Sequence, residues 1–212
     1  PGYSAERISL HYDPAIGLKQ AVLNICDQAE AAVRAGKVLM VLSDFGIAQD
    51  KLTVHALMAT GAVHHRLTVK GLRCSSNIIV ETATTRDPHH FAVLFGFGAT
   101  AVYPYLAYDV IADMVRSGEL IGDAIELQKN FRKGINKGLL KIISKMGIST
   151  IASYRGAQLF EIIGIADEVV DICFHGAASR IAGADFGDFE EDQRILREDA
   201  WKQRKPIDAG GV

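Results

Sequence analysis

The chain has 212 residues, 49% of them hydrophobic, which is enough apolar material to bury a sizeable core as one domain or one large subdomain. Its 23 basic and 25 acidic residues leave a formal net charge of -2, so no electrostatic footprint for nucleic acid or an anionic membrane is present. Three scattered cysteines, Cys26, Cys74 and Cys173, with no C-x-x-C pair, suit a reduced compartment and argue against metal or iron–sulfur ligation.

No apolar run approaches the roughly 20 residues that cross a bilayer. The opening Pro1-Gly2-Tyr3-Ser4-Ala5-Glu6-Arg7 has neither a basic n-region nor an apolar h-region, so it does not read as a signal peptide. It lacks an initiator Met, and the chain stops at Gly210-Gly211-Val212 without a closing element, so both ends read as cut from a longer polypeptide.

In chain order, Ile8-Ser9-Leu10-His11-Tyr12 alternates as a short strand and Pro14 sits at a first helical turn. From Ala15 to Ala35, Ile16, Ala21, Val22, Ile25, Ala29, Ala32 and Val33 share one helical face, and Gly36 ends the run. Val38-Leu39-Met40-Val41-Leu42 is a continuous apolar run closed by Ser43-Asp44, the mark of a strand covered on both faces. A helix is predicted from Leu52 to Val69, stopping at Gly71, and Asn77 to Thr82 is a second buried strand. Asp87 is a candidate N-cap for a short helix from Pro88 to Phe95, and Ala99 to Pro104 is a third strand. Helices follow at Tyr105 to Arg116 and Asp123 to Met146, then a strand at Ile148 to Ala152 and helices at Ala157 to Ile163 and Asp167 to Phe174. From Asp185 to Lys205 the density of charge reads as a solvated helix or linker.

Strands alternating with helices predict an α/β fold: a parallel sheet with right-handed βα crossovers, incomplete or degenerate (βα)-barrel-like. Its strands lie near Val38, Ile78, Ala101 and Thr150. In such sheets ligands gather at the carboxyl ends of strands, where the polar residues are Ser43-Asp44, Glu81-Thr82 and Ser149-Thr150. Asp44 and Glu81 either form a carboxylate pair for acid/base work or cap helices and bind loop amides.

The doublets His64-His65 and His89-His90 lack the i, i+4 spacing of helical zinc sites and suit packing or hydrogen bonding. Gly96-Phe97-Gly98-Ala99-Thr100-Ala101 spells G-x-G-x-x-A, but with a helix before it and a strand after it, the reverse of a dinucleotide loop. Lys133, Lys137, Lys141 and Lys145 form one helical stripe, either a solvated or interdomain face or a guide for an anion. Spacing assembles no nucleophile triad, and no phosphate-binding loop is spelled out.

The block Asn136-Lys137-Gly138-Leu139-Leu140-Lys141-Ile142-Ile143-Ser144-Lys145-Met146-Gly147-Ile148-Ser149-Thr150, running into Ser153-Tyr154-Arg155-Gly156-Ala157-Gln158, resembles a signature of the glutamate synthase large chain. Family-like blocks follow the same order elsewhere: Val41 to Asp44, Gly61 to His65, Val80 to Thr82, His89 to Ala92, Gly96 to Ala99, Pro104 to Ala107 and Ser179 to Ile181. The similarity covers nearly the whole chain. It departs where Phe45 stands for the family's usual Arg, Tyr103 for Asn, and Ala177-Ala178 for Gly-Thr.

The resemblance implies that residues 1–184 are the central α/β domain of that enzyme, which makes two glutamates from glutamine and 2-oxoglutarate. Residues 185–212 would then be a charged helix or linker into an FMN-binding (βα) barrel. A glutaminase with a cysteine nucleophile would precede the domain. FMN and an iron–sulfur cluster belong, by resemblance, to the full-length chain, and this fragment carries no catalytic, cofactor-binding or metal residue. Its implied role is to couple the glutaminase and FMN sites and help wall the ammonia tunnel between them, without activity alone. Candidate tunnel or gate residues are Ser43, Asp44, Glu81, Thr82, Ser149 and Ser153. Gly147 is assigned a structural role as a helix stop. Arg155 is assigned one as the anchor of the following turn, holding carbonyls or a carboxylate.

Implied partners are the flanking domains of the same chain and a small reductase subunit, with no nucleic acid and no membrane. The implied compartment is the cytoplasm, or the plastid in a plant or alga. The rival expectation is a stand-alone (βα)-barrel enzyme holding a flavin or phosphate ligand at its strand ends.

Overall fold

A computed structural model describes residues 3–202. The readings placed on Arg204, Lys205, the terminal Gly210-Gly211-Val212 and the opening Pro1-Gly2 lie outside the described residues.

The first segment makes two strands rather than one, β1 (Ala5–Ser9) and β2 (His11–Tyr12). A single 3-10 turn at Pro14–Ile16, capped by Asp13, leads into α1 (Leu18–Arg34). β3 (Leu39–Ser43) follows as the apolar run predicts. The helix expected from Leu52 begins later. Leu52–Thr53 forms β4, antiparallel to β2, and α2 (Ala56–Val69) starts behind His55, whose Nδ1 accepts the Leu57 N–H at 3.2 Å. β5 (Asn77–Glu81), α3 (Pro88–Gly96) with Asp87 as its N-cap, β6 (Ala101–Tyr103), α4 (Tyr105–Ser117) and α5 (Ala124–Lys145) lie close to their predicted places.

The signature block is where the reading fails. Ile148 to Ala152 is not a strand: Thr150 caps a one-turn helix, α6 (Ile151–Tyr154), by accepting the Ser153 N–H. Ala157 to Ile163 is not a helix, because Gly156 and Gln158 both take positive φ and the chain leaves as β7 (Glu161–Ile165). A four- or five-letter apolar run carries no period that separates strand from helix, so the side-chain cap decided. α7 (Asp167–Cys173) then crosses to β8 (Ala178–Ala184), parallel to β7, in a small second sheet. α8 (Phe186–Trp201) closes the described chain behind an Asp185/Asp188 capping box.

The main sheet runs β1-β3-β5-β6, every pair parallel, each strand added beside its predecessor. Its first strand is β1, and no strand near Thr150 joins it. α1 and α2 cover one face, where Ile8, Met40, Leu42, Ile78 and Val80 meet Val22, Ala29, Ala59, Val63 and Leu67 in the core. The opposite face is open. Arg7, Val41, Ile79 and Ala101 form one register row there and Ser9, Ser43, Glu81 and Tyr103 the next. Apart from Ser43, none of these eight is buried. The prediction of strands covered on both faces is therefore corrected, within the described residues, to strands covered on one. Their apolar outward letters, Val41 and Ile79, suit a face that something else covers, since parallel sheets rarely stand bare.

α5 and α6 pack on α3 through a satellite cluster of Ala92, Ile143 and Tyr154. α8 is docked on α1, β4 and β8, with Phe186 buried.

Candidate functional site

The carboxyl ends of β1, β3 and β5 bring four of the six candidate residues together. Ser43 ends β3 and Glu81 ends β5 directly beside it in the register. Arg7, two residues upstream of the end of β1, reaches across the open face to pair with Glu81 and donates to Ser43 Oγ at 3.1 Å. Ser43 Oγ donates in turn to the same Glu81 oxygen and accepts the Phe45 N–H at 3.2 Å. Arg7, Ser43 and Glu81 therefore form a closed triangle. The guanidinium also lies 5.5 Å from the Phe45 ring centroid, and that ring meets Tyr105 edge-on at 5.0 Å.

Beside this triangle, Asp44 turns inward. One carboxylate oxygen accepts the Thr82 hydroxyl, and the Ala83 N–H donates to both oxygens at 3.0 and 3.3 Å. Its backbone is tied as well, with Asp44 N–H donating to the Glu81 carbonyl at 3.1 Å and Tyr105 OH donating to the Asp44 carbonyl at 3.3 Å. Burial first, then the charges of Asp44 and Glu81, pushes the Tyr105 hydroxyl far above its ordinary pKa.

Both carboxylates are thus committed, Asp44 to a loop amide and a hydroxyl, Glu81 to Arg7 and Ser43. Neither is placed to act as a paired acid and base. The arrangement is a polar, internally satisfied floor with an apolar rim. Phe45 and Tyr103, two of the family departures, are 54% and 47% exposed on that rim.

The other two candidates lie elsewhere. Ser149 and Ser153 are exposed on the α5–α6 connection, where Ser153 Oγ lies 2.9 Å from Thr150 Oγ1, and neither is at a strand end. Gly147 stops α5 at φ +69. Arg155 follows α6, but its buried Nε has no hydrogen-bond partner, so no carbonyl or carboxylate is seen on it among the described residues. Sequence reasoning missed Arg7, and only the register explains why it belongs.

The histidine doublets are engaged. Arg73 donates to His64, His65 stacks on His175 at 4.0 Å, and His90 faces Asp87 at 3.5 Å. No group of three or more His, Cys, Asp and Glu among the described residues could hold a metal ion. Gly96 to Ala101 runs from the end of α3 into β6. The four-lysine stripe lies exposed on α5. Among the described residues no helix is long and apolar enough to cross a membrane.

Neither group implied by the resemblance fits these residues. Cys26 and Cys173 are buried thiols pushed up by burial, Cys26 to about 12, the opposite of a cluster ligand. Arg7, the cation lying on these strand ends, is already paired with Glu81 and leaves little for a flavin phosphate.

A family model described as the glutamate synthase central domain matches residues 1–166. Glutamate synthase [NADH] of Saccharomyces cerevisiae is 35% identical over 218 residues, covering 98% of this chain and 10% of the relative. Ferredoxin-dependent glutamate synthase of Pyropia yezoensis is 44% identical over 177 residues, 78% of this chain and 12% of the relative. The glutamate synthase [NADPH] large chain of Bacillus subtilis is 42% identical over 182 residues, 85% and 12%. The chain spans about a tenth of the length of these curated relatives. It belongs to the glutamate synthase family, as the central domain.

Proposed function

We propose that this member of the glutamate synthase family serves as the coupling domain of a longer oxidoreductase that makes glutamate for amino-acid biosynthesis. In this reading its open sheet face lies against a neighbouring domain of the same polypeptide and helps wall a passage for ammonia between a glutaminase site and an FMN site. FMN and the iron–sulfur cluster are held outside these residues, and the fragment alone is inactive. The domain, residues 1–184, derives from an incomplete (βα) barrel whose strands succeed one another along one wall, with 185–212 leading to the FMN barrel. A small reductase subunit and a cytoplasmic or plastid location go with the same reading.

The carrying observation is the bare face of a parallel sheet whose polar end row is already satisfied internally. With Ser43, Asp44, Glu81 and Thr82 engaged by one another and by Arg7, such a surface suits a wall better than a base or nucleophile. A passage for a neutral amine needs few unsatisfied acceptors and little water, so that ammonia is not protonated on the way. Ser43, Asp44, Glu81 and Thr82 supply polar groups whose hydrogen bonds are already taken. The exposed Ser149 and Ser153, on the α5–α6 connection, are the weaker gate candidates.

The test uses the full-length enzyme carrying Glu81→Leu, which breaks the Arg7–Ser43–Glu81 triangle on the open face. Glutamine-driven glutamate synthesis should fall several-fold while ammonia-driven synthesis and glutaminase turnover stay near wild type. Equal loss of both syntheses, or no loss of either, overturns the proposal. Stoichiometric FMN binding by the 212-residue chain, read by flavin fluorescence, would favour the stand-alone barrel instead.

A further inference from the structure

A cavity of about 190 Å³ lies away from the strand ends, between α2, the end of α3, the α6–β7 connection and the end of α7. His64 lines it, and the tautomer of His64 is fixed by its neighbour. Arg73 Nε–H donates to His64 Nδ1 at 2.9 Å, so the neutral ring carries its proton on Nε2. Arg73 cannot swing away, because its other nitrogens hold the carbonyls of Ser76 at 2.6 Å and Gly98 at 2.8 Å. The Cβ–Cγ–Nδ1 edge of the imidazole packs against Gly98, which leaves the Nε2–H edge for the cavity. That N–H has no acceptor among the described residues.

The charge around it is one-sided. Arg73 and Arg155 both lie close enough to hold the His64 ring neutral; burial and these two cations take it down to about 4. Burial first, and then Arg155, lowers Arg73 itself. Neither guanidinium forms an ion pair among the described residues, no Asp or Glu lines the cavity, and Arg155 Nε–H is buried without a partner. Two neighbouring, partly buried cations without a counter-ion are costly, and an anion would relieve that cost. Gln158, on the wall, is held at φ +54, a strained conformation of the kind that collects at ligand sites.

The remaining lining selects the kind of anion. One fixed N–H with positive charge behind it suits a single carboxylate, whereas a phosphate calls on several donors. The same cavity is lined by Phe97, Leu159 and Phe160, an apolar surface for the rest of the molecule. We propose that this cavity binds a small organic monocarboxylate, its carboxylate on His64 Nε2–H backed by Arg73 and Arg155, its apolar body against Phe97, Leu159 and Phe160.

Benzoate, acetate and inorganic phosphate titrated into the 212-residue chain at fixed ionic strength test this, with histidine ring signals followed by NMR. Benzoate should bind saturably and shift His64, His65 and His175 out of the seven histidines. Acetate should bind more weakly, and phosphate should not saturate. Arg155→Gln, which removes a side chain that makes no hydrogen bond among the described residues, should weaken benzoate about tenfold, and His64→Phe should abolish binding. If His64→Phe fails to fold, the wild-type shift map and Arg155→Gln decide alone. Shifts spread over all histidines, phosphate binding tighter than benzoate, or unchanged affinity in Arg155→Gln would each overturn the proposal.

Discussion

Glu190 offers the sharpest measurement of how α8 is held. α1 begins at Leu18 directly after Gly17, which has no side chain to cap it. The missing cap comes from the other end of the chain. Glu190 Oε2 accepts the Leu18 N–H at 2.6 Å and the Tyr12 hydroxyl at 3.4 Å, while Oε1 accepts from Arg194 at 2.7 Å. The carboxylate is only 14% exposed, and with burial as the larger cause it helps push the Tyr12 hydroxyl well above its usual pKa. Losing a helix cap costs about 1 kcal/mol, and a partly buried negative charge at a helix N-terminus contributes about as much again. Glu190→Ala should therefore destabilise the chain by about 2 kcal/mol, and Glu190→Gln, which keeps an acceptor but not the charge, by about 1 kcal/mol. For a domain of this size that is a fall in Tm of about 4–8 °C and 2–4 °C respectively. Urea and thermal unfolding of the 212-residue chain, followed by circular dichroism at pH 7, read both. The reasoning fails if Glu190→Ala lies within about 0.5 kcal/mol of wild type, or if Gln and Ala behave alike.

Three further outcomes can be measured in the same way. A Cβ at Gly61 would sit 1.9 Å from the Cys173 carbonyl oxygen, so Gly61→Ala should force α7 off α2 and cost about 1–3 kcal/mol; a neutral result would refute that close approach. At Gly147 nothing lies within 4 Å of an added Cβ, so only the φ of +69 opposes substitution; Gly147→Ala should cost about 1 kcal/mol and Gly147→Val up to about 3, and equal values would show that the backbone relaxes. Burial and neighbouring charge hold His64 at about 4 against its usual 6.5, and His65 is lowered as well. An unfolded imidazole therefore takes up a proton below pH 6.5 that folded His64 refuses until about pH 4. Stability present at neutral pH should drain away across that window, with proton uptake on unfolding, and flat stability from pH 7 to 4.5 would contradict it.

Much of the sheet was legible because its strands are long enough to show their character. β3 and β5 appear as Leu39–Ser43 and Asn77–Glu81, each within a residue of its apolar run, and Asp87 caps α3 as its letters suggest. The failures lie where the signal is short or remote. Ile148 to Ala152 has strand-like letters, but Thr150 offered its oxygen to the Ser153 N–H and turned the segment into a helical turn. Glu190 is one acid in a charged run, and nothing local says that its carboxylate caps a helix 172 residues away. Arg7 likewise sits in the opening strand, and its part in the strand-end site comes only from the register that sets β1 beside β3.

The open face shows the same limit from the other direction. Val41 and Ile79 are as apolar as Met40 and Ile78, so the sequence predicts cover on both sides of the sheet. Within residues 3–202 that cover exists on one side only. An apolar letter records that a side chain is meant to leave water, not which partner removes it. Under the proposed function, the neighbouring domain of the longer chain supplies the missing partner for Val41, Ile79, Ala101 and Tyr103. The closed Arg7–Ser43–Glu81 triangle is then what allows that face to dry, since Arg7 and Glu81 already have each other as counterpart before the neighbour arrives. A face built to be dried while keeping a satisfied polar row at one end is suited to a passage for a small neutral molecule and poorly suited to acid/base chemistry. That contrast is why the coupling role is preferred here over a stand-alone active site.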